Sequence, residues 1–186
     1  MKYTTSDIKN GLKILVDGDP CVILENEFEK PGKGQAFTRI KFRNYRSGKV
    51  LEKTYKSGAS LLPADIQEQT MTFLYQENEL FHFMDSETYE QTTIDSSVLG
   101  NTQKWMIEQA SYQILLWNGV PISVTAENFI EIEVTECEPG VKGDTVSGAM
   151  KMATIATGTN IKVPLFIKKG DHIRVDTRDG SYVSRV

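Results

Sequence analysis

The chain has little of what marks a metal centre, a crosslinked scaffold or a membrane protein. Its 186 residues include two cysteines, Cys21 and Cys137, and two histidines, His82 and His172. The cysteines fit no metal-ligand spacing and cannot build a disulfide framework. They read as inert buried thiols, and a reducing cytosol is the expected compartment. The histidines share no ligand spacing, and His82, inside Phe81-His82-Phe83, reads as a packed or barrel-surface residue. No apolar run approaches the ~18 residues that would cross a bilayer, so no membrane association is expected. Residues 1–13 are polar and mixed in charge. The apolar positions Leu12, Ile14, Leu15 and Val16 are broken by Lys13 and closed by Asp17, which reads as no signal peptide. No Ser/His/Asp set can be placed, Ser184 has no nucleophile elbow, and Glu77 and Glu79 fall in a turn. No enzyme site of its own is expected, and Trp105 and Trp117 read as core rather than as stacking platforms.

What the chain does have is an uneven distribution of charge. Lys and Arg total 21 and Asp and Glu 25, a net charge of -4, with 39% apolar residues. That is ordinary globular composition. Residues 1–63 nevertheless carry a net +5, residues 64–128 a net -9, and residues 129–186 a net 0. Residues 30–56 hold nine bases against one acid, Glu52. A basic block on an acidic chain points to a polyanion partner at one end, oriented by repulsion from the middle third. The same block also reads as a solvated strand face.

The hydropathy pattern has a period of two. Thr38, Ile40 and Phe42 alternate with Arg39, Lys41 and Arg43, the pattern of a strand with one apolar and one basic face. Hairpin turns are expected at Asp17-Gly18-Asp19-Pro20, Arg46-Ser47-Gly48, Gln76-Glu77-Asn78-Glu79 and Asn118-Gly119. A short helix is expected over 101–109. Strands are expected over 129–134, 152–156, 160–164 and 172–177. Many short strands with close turns mean small barrels or sandwiches. Three charge regimes of about 60 residues each suggest three barrels near the lower size for independent folding.

One loop stands apart. In Glu29-Lys30-Pro31-Gly32-Lys33-Gly34-Gln35-Ala36-Phe37, Lys33 is a long side chain between two glycines. Glycines remove neighbouring side chains and let a loop enter a narrow space. An ordinary hairpin tip is the alternative. A phosphate-binding loop fits less well, because the Walker spacing and its following Ser or Thr are missing.

The run Lys30-Pro31-Gly32-Lys33-Gly34-Gln35-Ala36-Phe37 resembles the modification loop of the bacterial translation elongation factor P family. A second segment agrees, with Lys151, Ala153, Gly158, Ile161, Val163, Pro164, Ile167 and Gly170 at the family's C-terminal signature positions. Trp117-Asn118-Gly119, Pro121-Ile122-Ser123-Val124, Pro139-Gly140, Lys142-Gly143-Asp144-Thr145 and Tyr182-Val183-Ser184-Arg185 are similar to it as well. Met152 stands where family members usually have Pro, and residues 146–150 differ from the common form of that loop.

The resemblance implies an all-β fold: an N-terminal SH3-like (KOW-like) barrel over 1–64, an acidic central OB barrel over 65–128, and a C-terminal OB barrel over 129–186. Together they would form an L of roughly tRNA shape. It implies a cytoplasmic, monomeric, non-enzymatic factor without cofactor or metal. Such a factor binds the 70S ribosome between the peptidyl-tRNA and exit sites and relieves stalling at consecutive prolines. Lys33 would carry a covalent cap, a β-lysyl group from a lysyl-tRNA-synthetase-like ligase in members with this loop type. It would reach the CCA end of the P-site peptidyl-tRNA. Lys30, Pro31, Gly32, Gly34 and Gln35 would form the modification loop, 29–37. Arg39, Lys41, Arg43 and Lys53, with Lys30 of the loop, would contact RNA phosphates of tRNA or rRNA, and Gly143, Asp144 and Thr145 would lie near the exit-site codon or tRNA. The alternative is an OB-type RNA-binding protein without an effector lysine. The two differ in what Lys33→Ala should do.

Overall fold

A computed structural model of the chain describes residues 1–140 and 148–186. The chain is nearly all β, in three sheets that match the three-domain layout expected of it. The first sheet has six strands: β1 (Tyr3–Thr4), β2 (Lys13–Val16), β3 (Asp19–Glu29), β4 (Phe37–Asn44), β5 (Val50–Lys56) and β6 (Ser60–Pro63). Their order is β1-β6-β2-β3-β4-β5. The second has β7 (Ile66–Glu77), β8 (Leu80–Asp85), β9 (Gln91–Asp95), β10 (Ser111–Trp117) and β11 (Val120–Thr125), ordered β11-β10-β7-β8-β9. The third has β12 (Phe129–Cys137), β13 (Met150–Ile155), β14 (Asn160–Pro164), β15 (His172–Asp176) and β16 (Ser181–Arg185), ordered β14-β13-β12-β15-β16. By packing, the chain divides into two compact units, Met1–Gln69 with Ile114–Ser123, and Thr70–Gln113 with Val124–Val186. Among the described residues no helix is long and apolar enough to cross a membrane.

The first unit is built as the alternation predicts. Thr38, Ile40 and Phe42 of β4 are buried, while Arg39 and Arg43 are exposed. Ile40 and Phe42 join Ile14, Val16, Cys21, Ile23 and Leu61 in one core. The first hairpin turn is tighter than expected. Asp17 and Gly18 alone make it, both in the left-handed region (φ 52° and 86°), as a two-residue turn of this hand requires. Asp19 and Pro20 already belong to β3, where Pro20 pairs with Leu15. The carbonyl of Pro20 accepts from the Tyr45 N–H at 2.9 Å. At the Arg46-Ser47-Gly48 turn, Asn44 Oδ1 accepts from the N–H groups of Arg46 and Ser47 at 2.8 and 3.1 Å.

In the second unit, Phe73, Phe81, Phe83 and Tyr112 form an aromatic cluster with ring centroids 5.5–6.4 Å apart. The helix expected over 101–109 begins earlier and ends sooner. A single α turn, α1 (Ser96–Leu99), is capped by Asp95, whose Oδ1 accepts from the Ser97 N–H at 2.9 Å. Gly100, at φ 52°, breaks it, and a 3₁₀ segment runs only to Trp105. The Tyr112 hydroxyl then donates to the Trp105 carbonyl and accepts from the Ile107 N–H, both at 2.7 Å. That pair of bonds holds the backbone out of helical geometry. Trp105 is buried with Ile132, Val134, Ile155, Val163, Ile173 and Val175 in the core of the third sheet. β12 runs on past its expected end, because a register shift between Val134 and Glu136 lets Cys137 pair with Ala153.

Met152 shows how this chain accommodates its departure from proline. Its N–H donates to Glu138 Oε2 at 3.2 Å, and its carbonyl accepts from the Glu138 N–H at 3.0 Å. The N–H therefore goes to a side chain, at a position where a proline would have nothing to donate.

Candidate functional site

The loop after β3 is carried on a long hairpin. The last five residues of β3, Glu25 to Glu29, are all exposed, about 17 Å of strand. They pair with the first half of β4, Glu29 against Phe37, Phe28 against Thr38, Glu27 against Arg39 and Glu25 against Lys41. Lys30, Pro31, Gly32, Lys33, Gly34 and Gln35 are exposed, with a bend over 32–34. Of the two glycines only Gly34 is in a conformation that other residues avoid, at φ 112°. A Cβ built there would lie 3.8 Å from Pro31 Cγ, and one on Gly32 would meet nothing within 4 Å. Among the described residues neither Lys30 nor Lys33 has an ion-pair partner. Lys33 is thus an unpaired ammonium at the tip of an extended hairpin.

The four strand residues expected to contact phosphates do not share a face. Arg39, Lys41 and Arg43 alternate outward together, opposite Thr54, Glu52 and Val50 of β5. Lys53 pairs with Ile40 and so projects from the other face. There its ammonium donates to Asp17 Oδ1 at 2.9 Å and lies 5.6 Å from the Tyr55 ring centroid. The hydrogen bond to Asp17 raises the Lys53 pKa above the ordinary lysine value. On the outward face, Arg39 Nη1 lies 3.9 Å from both Glu27 and Glu29, and Lys41 Nζ 3.4 Å from Glu25. The count of nine bases against one acid stopped short of these three glutamates, which the hairpin folds back onto the block. Arg43 is the member of the set with no acid within ion-pair distance among the described residues.

Arg46, also in the block, donates to Asp19 Oδ1 at 3.0 Å. Asn44 donates to the other oxygen of that carboxylate at 2.9 Å. These bonds, Asn44 first, hold the Asp19 carboxyl below the usual range, against a smaller opposing effect of burial. Gly143, Asp144 and Thr145 lie outside the described residues.

Sequence reasoning missed Phe28. It is 64% exposed, an aromatic side chain left mostly uncovered in a paired strand. Its signal was present as the one aromatic in the otherwise polar run Glu25-Asn26-Glu27-Phe28-Glu29. His82 is packed as expected: stacked on Tyr75 with centroids 4.4 Å apart, Nδ1 3.2 Å from Thr93 Oγ1. No group of three or more His, Cys, Asp or Glu among the described residues is arranged to hold a metal.

The site is thus an exposed, glycine-framed lysine loop on the first of three β sheets that follow one another along the chain. The sequence matches are consistent along the chain. Residues 4–61 match the elongation factor P (EF-P) KOW-like domain, residues 66–124 the elongation factor P (EF-P) OB domain, and residues 130–185 the elongation factor P C-terminal domain. The chain belongs to the elongation factor P family. Among solved structures, the fold is similar to a eukaryotic translation initiation factor 5A from Methanococcus jannaschii, at 20% identity and a TM-score of 0.52. That likeness covers 67% of this chain and 92% of the other. It is also similar to an eif-5a family protein from Naegleria fowleri, at 17% identity and a TM-score of 0.51, covering 68% of this chain and 98% of the other.

Proposed function

We propose that this translation factor binds the 70S ribosome between the P and E sites and speeds peptide-bond formation at consecutive prolines. Lys33 is the effector. The observation that carries the reading is the position of Lys33, exposed and, among the described residues, unpaired at the tip of the β3–β4 hairpin. In the family it resembles, the matched lysine carries the cap. Proline is a poor nucleophile in peptide transfer because its ring restricts the amine and the chain behind it. The ribosome already supplies the catalytic environment, so restoring geometry is enough. Productive placement of two reactants is worth up to about 7–11 kcal/mol. A slim cationic arm braces the CCA end of the peptidyl-tRNA through phosphate and sugar contacts. A β-lysyl group on Lys33 Nζ, added by a lysyl-tRNA-synthetase-like ligase, lengthens that arm and adds an amine.

The factor itself forms and breaks no bond in this scheme. It acts as a cytoplasmic monomer, without cofactor beyond the cap on Lys33. Arg43 supplies a phosphate contact directly. Arg39 and Lys41 do so after exchanging their glutamate partners for phosphate. The net charge of -9 over 64–128 keeps the middle of the chain from trapping RNA.

The test is peptide mass spectrometry of protein from its native host, joined to a Pro-Pro synthesis assay with Lys33→Ala. A lysyl-type mass on the Lys33 peptide and a folded but inactive Lys33→Ala are expected. A Lys33→Ala that loses only the affinity of one phosphate contact, with relief of stalling intact, would make the protein a plain RNA binder.

A further inference from the structure

We infer that Phe28 is a positioning residue that stacks on an unpaired nucleotide of the RNA strand Lys33 approaches. This rests on the functional reading above and deepens it.

The strand register separates two faces of the hairpin. Phe28 lies opposite Thr38, and Thr38 opposite Tyr55, so these three share one face. Glu27 and Glu29 project from the other face, where Arg39 lies 3.9 Å from each. The carboxylates flanking Phe28 in sequence are therefore turned away from its ring and matched by a guanidinium. The Phe28 face offers an aromatic ring, 64% exposed, and the chain then runs at once into Lys30 and Lys33, which have no ion-pair partner among the described residues.

A lone exposed aromatic is unremarkable by itself. A ring followed within five residues by two cations, with its own acids on the opposite face, has the composition of a single-strand nucleic-acid platform. The base stacks on the ring and the backbone phosphates meet the ammoniums. The ring also sits on a paired strand and not in the loop, so a nucleotide held there is fixed relative to the sheet. Lys33, five residues further along, then reaches its target from a defined starting point. The sheet supplies the rigidity that a glycine-framed loop lacks.

The experiment uses full-length protein purified from its native host, as wild type, Phe28→Ala, Phe28→Tyr, Phe28→Leu and Lys33→Ala. The rate of Pro-Pro bond formation on 70S ribosomes is measured against factor concentration, together with ribosome Kd, melting temperature and the mass of the Lys33 peptide. Phe28→Ala should raise the half-saturating concentration about tenfold. Phe28→Tyr should restore it and Phe28→Leu should not. The Lys33 mass and the melting temperature should stay as in wild type, because the ring is not packed in a core. Wild-type behaviour of Phe28→Ala beside an inactive Lys33→Ala overturns the stacking contact alone. Full rescue by Leu does the same, since Leu is apolar but has no π-face. If Lys33→Ala is fully active, the functional reading falls and Phe28 is judged by ribosome Kd. A weakening by Ala that Tyr reverses supports the contact, and no weakening overturns it.

Discussion

Lys53 holds its ammonium 2.9 Å from Asp17 Oδ1, across the sheet from the Arg39, Lys41 and Arg43 face. The pair joins β5 to the β2–β3 turn and competes with any use of Lys53 as a phosphate contact. Asp17 is largely exposed and Lys53 partly so, with side-chain exposures of 82% and 38%. Such pairs contribute only about 0.2–1 kcal/mol.

Lys53→Met should therefore lower the melting temperature by no more than about 2–4 °C. It should leave the salt dependence of ribosome binding as it is. Arg43→Met, which removes a cation with no ion-pair partner among the described residues, should reduce the slope of log K against log salt by about 0.7–0.9. The Lys53 pKa is raised in the folded state. Its contribution to stability is thus present through neutral pH and lost as pH rises from the ordinary lysine value through the raised one, in the alkaline range. Melting curves of wild type and Lys53→Met from neutral to strongly alkaline pH check the sign.

The two loop glycines should respond differently to alanine. Gly34→Ala forces a side chain into φ 112° and costs about 1–3 kcal/mol unless the loop rearranges. Rearrangement moves Lys33, so stimulation of Pro-Pro synthesis should fall steeply while the core stays folded. Gly32→Ala meets open space at an ordinary φ and should keep most of the activity. Equal losses in the two variants would mean that bulk, not backbone conformation, is what the loop excludes.

Thiol labelling should distinguish the cysteines. Cys21 is fully buried, and burial pushes its pKa up to about 11. At pH 8 it is an inaccessible thiol with almost no thiolate. Cys137 is only partly covered. Limited alkylation of the native protein at pH 8, read by peptide mass spectrometry, should mark Cys137 first and Cys21 only on unfolding.

Met152→Pro should be tolerated. It gives up one N–H bond to an exposed Glu138 carboxylate, worth about 1–2 kcal/mol, and Lys151 before it is already in a strand, as a residue preceding proline prefers. Ile155→Pro, in the same strand, removes the N–H that donates to the Thr159 carbonyl at 3.0 Å and a fully buried side chain. It should unfold the third sheet. Circular dichroism melts of the two variants make the comparison.

Much of the architecture was legible because turns and alternation are local. Asn118-Gly119 takes the left-handed pair of conformations (φ 50° and 77°) that its composition favours. The alternation of Thr38, Ile40 and Phe42 with Arg39, Lys41 and Arg43 sorts into buried and outward positions as read. The loop around Lys33 was legible too, since glycine and proline carry their conformational meaning within a few residues. The short helix was misplaced because its stop came from contacts outside the window. Gly100 breaks the chain there, and the Tyr112 hydroxyl captures the backbone at Trp105 and Ile107.

The sequence alone determined that the protein is nearly all β, with short hairpins, a lysine framed by glycines, and a basic first third. Tertiary structure decided which charges face each other. In a strand of strict alternation, Cys21, Ile23, Glu25 and Glu27 would all share the core side. The register shift between Ile23 and Glu25 makes Glu25 the partner of Lys41 instead. One extra residue reverses the phase of everything after it. Glu25, Glu27 and Glu29 therefore meet Arg39 and Lys41, and Phe28 turns to the Thr38 side and lies bare. Strand pairing sets that phase across residues distant in sequence, and no local pattern in β3 encodes it.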